Sequence, residues 1–411
     1  MSHVAIARWT VAALVLHSVP AISEPATSES IDLDLKGALD RAHRLAPDAV
    51  AARGQVAQAQ ATVVGADLPF TTNPAIDVGA GPRLTSDPRI EVEARIEQDL
   101  EPWRRAPRRR LAHAEVDHAR VAGEAALREL DLEVSTAFFD VVFSDAAAEL
   151  AHHGEDLARQ AVTAAERRRK AGDITDLEAN LARAGLGRAR SGVQAAAAQR
   201  ATALGKLAAL IGARPGDTIT LRGDLKSLAA PPLDAVRTLG AARPDVRLFE
   251  AERDVAAAEH AQAVANGRPE VALWASYRRE DTTDIVLGGL RVTLPLWNRA
   301  QGEIAAARAR ERRAIDTRAA ALRAAARQLA DAYVVYQAAQ QSVDVFEREV
   351  VPLLDDSEQL LQKTVDAGQI TMADYLVARQ ELLNGRREHL ERLLALARAA
   401  VALRHVAGGA S

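Results

Sequence analysis

Ala171-Gly172-Asp173-Ile174-Thr175 recurs as Ala367-Gly368-Gln369-Ile370-Thr371, and that recurrence decides how the chain is built. At the same offset of about 196 residues, Leu181-Ala182-Arg183 is answered by Val377-Ala378-Arg379. Upstream, Ala46-Pro47-Asp48 is matched by Arg243-Pro244-Asp245, and Asn73-Pro74-Ala75-Ile76 by Arg268-Pro269-Glu270-Val271. Landmarks repeated in one order at one spacing mean a tandem duplication, with a period far too long for a solenoid. The first structural repeat is set at 24–226 and the second at 227–411.

Around the two Ala-Gly tips the sequence predicts helical hairpins. From Trp103 to Lys170 the only proline is the early Pro107, and Ala, Leu, Arg, Glu and Gln dominate. These are strong helix formers, and about 1.5 Å of rise per residue gives a rod on the order of 100 Å. The counterpart, from about Arg299 to Asp366, is interrupted only at Pro352, a predicted kink. Return helices follow at about 174–211 and 370–405, so the hairpins span about 103–211 with tip 171–173 and about 299–405 with tip 367–369. Each repeat opens with a short helix, near 33–45 and 233–242. It ends at an x-Pro-Asp turn, where proline stops one helix and opens the next. A Gly/Pro-bearing stretch, 212–232, connects the repeats.

Between the opening helices and the hairpins the period changes from 3.6 to 2. Ile76, Val78 and Ala80 alternate with Asp77 and Gly79, and Ile90, Val92, Ala94 and Ile96 with Glu91, Glu93, Arg95 and Glu97. In the second repeat Val271, Leu273, Ala275 and Tyr277 share a face, and Val286, Gly288, Leu290 and Val292 alternate with Ile285, Leu287, Gly289 and Arg291. Strands are expected at about 74–83, 89–98, 270–278 and 285–294. About ten residues is what a tilted strand needs to cross a bilayer, whereas soluble strands average about five or six. Phe70, Trp103, Trp274, Tyr277 and Trp297 fall in or near these segments, where interfacial aromatic girdles belong. Four strands cannot close a barrel, for which about eight is the minimum, so closure requires several copies.

The N-terminus carries Arg8, an apolar run from Trp9 to Leu16 broken by Thr10, then Pro20 and Ala21-Ile22-Ser23. That is the pattern of a signal peptide, 1–23. No other apolar run approaches the ~20 residues of a membrane helix, so a mature chain that spans a bilayer does so by strands. With 52 Lys+Arg against 56 Asp+Glu the formal net charge is −4. There is no basic excess for nucleic acid. The absence of cysteine excludes disulfides, thiolate metal sites and cysteine nucleophiles.

With these features assembled, the mature chain resembles the TolC outer-membrane efflux proteins throughout. The likeness rests on Arg243-Pro244-Asp245, on Leu294-Pro295-Leu296-Trp297-Asn298-Arg299 with Gly302-Glu303-Ile304-Ala305, and on Val350-Val351-Pro352-Leu353 ahead of Gly368-x-Ile370. Around Leu294-Pro295-Leu296 it looks closest to the CzcC-like branch associated with heavy-metal resistance. The resemblance implies a mainly α fold with a small β part. It implies a homotrimer in the outer membrane of a Gram-negative bacterium, each chain giving four strands to one β-barrel in contact with outer-membrane lipid. That barrel would continue into a long periplasmic α-helical barrel. It further implies docking to a periplasmic adaptor (membrane fusion protein) and an inner-membrane pump of RND type, exporting heavy-metal cations or drugs without catalysis or cofactor.

In the family the tunnel narrows near the tips, where acids ring the pore. The motif Gly368-x3-Met372-x-Asp374 puts Asp374 at the inward acid, while the family's second acid is replaced by Val377. Asp176 and Glu178 are the alternative equivalents in the first repeat. A ring of carboxylates favours cations, whereas an acid in a helix's first turn is also what the macrodipole favours. Ala171, Gly172, Asp173, Ala367, Gly368 and Gln369 are the expected adaptor-docking tips, although glycine there is sufficient as a turn alone. Arg104 to Arg110 follow the second strand, at headgroup level or as a solvated helix start.

No catalytic constellation is present. His152-His153 are adjacent and His113 and His118 are five apart, neither being the i, i+4 spacing of a zinc pair on a helix. The competing architecture is a periplasmic coiled-coil scaffold or adaptor without a pore. It accounts for the helices but leaves the long strands unexplained.

Overall fold

The computed structural model describes residues 30–83, 89–228, 243–280, 282–366 and 369–408. The leader 1–23, the second repeat's opening helix at 233–242 and Ala367-Gly368 lie outside the described residues. Chain order runs β1 (Ser30–Leu33), α1 (Leu35–Leu45), α2 (Pro47–Asp67), β2 (Ala75–Arg83), β3 (Arg89–Leu100), α3 (Arg105–Ala171) and α4 (Asp176–Leu210). It continues with β4 (Thr218–Leu221), α5 (Pro244–Asn266), β5 (Glu270–Glu280), β6 (Thr283–Thr293), α6 (Gln301–Glu349), α7 (Val351–Asp366) and α8 (Met372–Ala407).

Helix α3 is 67 residues without a break. Pro107 does not interrupt it, because an amide in the first turn has no intrahelical acceptor to lose. Its far end closes at Gly172, whose φ of 82° is left-handed; Gly172 N donates to Arg169 O and Asp173 N to Arg168 O. A side chain there would be strained, which is why the tip carries glycine. The second long helix is divided. α6 stops at Glu349, Val350 takes φ −103° and ψ −48°, and α7 restarts with Leu354 N bonded to Val350 O. Pro352 has no N–H to give and its ring crowds the carbonyl four residues back.

The apolar core sits where α1, α3, α4 and α8 meet. Phe138 and Phe139 are fully buried, edge to face at 5.6 Å, among Val134, Leu207, Ile211 and Val401. Gly223 lies so close that a Cβ there would sit 2.8 Å from the Phe138 ring. The Gly/Pro-bearing connector that holds Gly223 also carries a strand. β4 pairs in parallel with β1, Ile31 opposite Ile219. Two four-residue segments 188 positions apart in register carry too little periodicity to be read as a pair.

Arg243 locks the start of the second repeat. Only 3% exposed, its guanidinium grips both Asp245 oxygens at 2.9 and 2.6 Å and reaches Gln328 Oε1 and Ala325 O on α6. The Arg-Pro-Asp motif therefore opens α5 and fastens it to α6.

Strands β2, β3, β5 and β6 form one antiparallel sheet in that order, 9, 12, 11 and 11 residues long. The two hairpins meet through β3 and β5, with Ala94 opposite Tyr277 and Ile96 opposite Ala275. β2 and β6 are left as the edges.

Candidate functional surfaces

Register divides the sheet into two unlike faces. Ile76 stands opposite Ile96, Val78 opposite Ala94, Leu273 opposite Leu290 and Tyr277 opposite Val286. Directly paired residues point the same way, so these make one apolar face. No helix covers it: Ile76, Val78, Ile90, Val286 and Leu290 are each more than half exposed. An apolar surface of this extent is far beyond the scattered hydrophobics of a soluble protein.

The other face is charged. Arg95 pairs with Glu97 at 2.8 Å, Arg278 with Glu93 at 3.2 Å, and Arg291 with Glu97. Trp274 belongs to this face and not with the exposed aromatics, a correction to the girdle expected for it. It stands between Leu273 and Ala275, so strand alternation turns it away from them. Its ring lies over Gly289 and under the Arg95 guanidinium, 4.8 Å away. Ile285 and Leu287 on edge strand β6 and Ala272 on β5 are aliphatic members of this face.

The remaining aromatics mark the ends of the sheet. Phe70, Trp103 and Trp297 lie at the helix-side end, Trp297 being 86% exposed, and Tyr277 lies toward the β5–β6 turn, donating to Asp284 Oδ1 at 2.8 Å. Trp103 Nε1 donates to Pro269 O at 2.8 Å. The arginines after β3 do something the sequence did not disclose. Arg105 and Arg108 donate to the carbonyls of Asp67, Ala66 and Leu68, and Arg109 pairs with the Asp67 carboxylate. Arg104 does the same for Asn266. They satisfy the last carbonyls of α2 and α5, where cations complement the helix dipole.

At the opposite end of the molecule Asp176, Glu178 and Asp374 are engaged locally. Thr175 caps α4, with Glu178 N bonded to its hydroxyl at 3.3 Å while the Glu178 carboxylate accepts from Thr175 N at 2.9 Å. That reciprocal box, led by the backbone bond, holds the Glu178 carboxyl below the usual carboxylate range. Thr371 and Asp374 share the side-chain half of this arrangement at α8: Asp374 N meets the Thr371 hydroxyl at 3.1 Å, and that hydroxyl donates to Asp374 Oδ2 at 2.7 Å. Glu178 and Asp374 thus each stand three residues after the capping threonine of their helix. Asp176 pairs with Arg169 at 3.1 Å. Ala171, Gly172, Asp173 and Gln369 are exposed at the tips. Arg168 reaches Ile370 O across them, and Ala161, Ala165, Ala182, Met372 and Tyr375 pack beneath.

Among the described residues no group of three or more His, Cys, Asp or Glu could hold a metal, and no helix is long and apolar enough to cross a membrane. His153 pairs with Glu358.

A family model described as "Outer membrane efflux protein" matches residues 35–213 and 236–409, one stretch in each repeat. No curated protein matches. Among solved structures the chain is similar to CusC at 18% identity and TM-score 0.76, covering 95% of this chain and 96% of that one. It is similar to VceC from Vibrio cholerae at 21% and 0.72, covering 91% and 96%. The open state of MtrE from Neisseria gonorrhoeae gives 18% and 0.75, covering 91% and 89%. The sheet with one bare apolar face, the paired helical hairpins and the match through both repeats agree. The chain belongs to the outer membrane efflux protein family, passive channels of the Gram-negative outer membrane with a large periplasmic helical part.

Proposed function

We propose that three copies of this chain join edge to edge, β6 to β2, into a twelve-stranded outer-membrane barrel continued by a periplasmic helical tunnel. The observation that carries this is the open sheet. It has long strands, an uncovered apolar face, a charged face and two unpaired edges. Exposed edges and a bare apolar face are liabilities in water, and both disappear when the sheet closes in lipid. Four strands are too few for that, and twelve suffice.

The conduit exports solutes handed over by a periplasmic adaptor seated on the helical tips and an RND-type inner-membrane pump; heavy-metal cations or drugs are the cargo classes. Asp374 is the acid we assign to the narrow end, with Glu178 and Asp176 beside it. The test is the mass of the detergent-extracted protein by light scattering, with unheated and heated electrophoresis, followed by conductance in planar bilayers. A heat-sensitive trimer from the outer-membrane fraction supports the reading, and Asp374→Ala should then raise single-channel conductance or reduce cation preference. A soluble monomer or dimer sinks it.

A further inference from the structure

Where β6 gives way to α6 the chain makes a loop that is firmly held yet turns its apolar side chains to the open. Leu296 N donates to Leu294 O at 2.9 Å, Ala300 N to Asn298 Oδ1 at 3.1 Å, and Gln301 Nε2 to Trp297 O at 2.7 Å. Arg299 Nε reaches Pro295 O at 3.2 Å, and Arg299 O stands so near Gly267 that a Cβ there would lie 2.5 Å away. Ala300 takes a left-handed φ of 59°, the only non-glycine among the described residues to do so. A chain keeps that conformation only where its surroundings fix it. Even so, Leu294 and Leu296 are more than half exposed and Trp297 almost wholly so.

The loop borders a cavity of about 720 Å³ that also takes in Arg104, Arg268, Glu270 and Glu303. Three of these charges are answered: Arg104 pairs with Glu270 at 2.8 Å, and Glu303 accepts from Asn266 Nδ2 at 2.9 Å. Arg268 is exposed, and its guanidinium has no partner among the described residues. One spare positive charge therefore lies beside three uncovered apolar side chains. Leu294 keeps the parity of Leu290 and Val292, so it carries the apolar face of the sheet just past the end of β6. In the barrel proposed above, this is the level at which the strands leave the bilayer for the periplasm.

We propose that this cavity binds an anionic glycerophospholipid of the periplasmic leaflet. Its phosphodiester sits on Arg268, and its acyl chains run along Trp297, Leu296 and Leu294 onto the apolar face of β6. Arginine suits phosphate, and tryptophan suits the boundary between headgroup and chain. The charges decide the lipid class. Both acids are engaged, so the ammonium of a zwitterionic headgroup finds no free carboxylate, whereas a phosphate with an uncharged glycerol headgroup needs only the cation on offer. A second copy joined at β2 would cover the apolar side chains less well matched in charge: the segment leading into β2, Leu68 to Pro74, carries no carboxylate for Arg268. The inference rests on the barrel reading and deepens it, from contact with lipid to one lipid class at one site.

The test uses the full chain carrying Trp103→Phe, so that Trp297 reports from the lipid side, in vesicles of phosphatidylethanolamine and phosphatidylglycerol at a fixed ratio. A small part of one lipid or of the other is brominated on its chains to quench tryptophan fluorescence. Brominated phosphatidylglycerol should quench about fivefold more strongly at low dose, the enrichment that one arginine beside anionic lipid supports. Adding Arg268→Gln should bring the two lipids level, while trimer mass and heat-modifiable migration stay unchanged. Equal quenching before that substitution means ordinary bilayer contact and overturns the site, as does a preference that survives it. No quenching by either lipid means that a neighbouring copy covers Trp297, and overturns it too. Insertion and trimer mass are read on the same samples. A chain that does not insert fails the barrel reading and the site with it, whereas an inserted trimer without lipid preference fails the site alone.

Discussion

Thr175 and Thr371 each end a turn and begin a helix, and their hydroxyls satisfy backbone donors that no carbonyl can reach. Thr175→Ala should cost about 1 kcal/mol locally, seen as faster hydrogen exchange in the first turn of α4. Glu178 adds a pH dependence. Its carboxyl is held below its ordinary value, so the stabilisation is present above the unfolded-state value and lost as pH falls through the lowered one. Exchange at the tip, corrected for its intrinsic rate, should therefore rise on acidification below pH about 4.3, and Glu178→Gln should remove that dependence. Arg379 is 5% exposed, with its Nε and Nη1 buried and without a hydrogen-bond partner among the described residues. It predicts the opposite sign to most core substitutions: Arg379→Met should raise the thermal midpoint, by an amount corresponding to about 1 kcal/mol, since it removes an unanswered buried charge. At this scale the sequence was readable for the caps, as Thr-x-x-Glu and Thr-x-x-Asp are explicit. Arg379 was not readable, because its environment is made by two other helices and appears nowhere in its own neighbourhood.

At the scale of elements, long helices dominate, and they were legible because strong helix formers run on without glycine or proline pairs. The period-two segments were legible for the same kind of reason, one face being apolar for the whole strand. β1 and β4 were not, and neither was the use of Arg104, Arg105 and Arg108 to finish helices that end 38 or more positions away in sequence. Two substitutions test how the elements are joined. Phe138→Ala should destabilise the junction of α1, α3, α4 and α8 by about 3–5 kcal/mol, measured by chemical denaturation in detergent. Arg243→Ala should cost about 2 kcal/mol, less than a fully buried pair because Asp245 is half exposed, and should loosen exchange in α5 and the facing part of α6 while leaving the first repeat unchanged.

For the whole molecule, the sheet's two faces make unequal demands. Ile96→Arg, in the middle of β3 on the apolar face, should cost about 2–4 kcal/mol in lipid, multiplied by the number of copies, and reduce the heat-modifiable species in the outer-membrane fraction. Ser276→Arg, on the charged face, should assemble near the parent level. The alternation that separates these residues was visible from the sequence, but the place of Trp274 shows its limit. Aromatic residues near strand ends suggested a girdle, and only parity along β5 reveals that this one turns to the charged face, against Gly289.

The unbroken α3 and the divided α6 and α7 form a mechanically unequal pair. A 67-residue helix is a lever: at about 1.5 Å per residue, a tilt of about 5° at its base carries its far end sideways by about 9 Å. The articulated partner has a joint at Val350, so its lower arm can swing while its upper arm stays put. Torque arriving at the tips is thus borne by a stiff strut and absorbed by a jointed one. The jointed segment is α7, while α8 runs unbroken from the tip to the core it shares with α3 and α6.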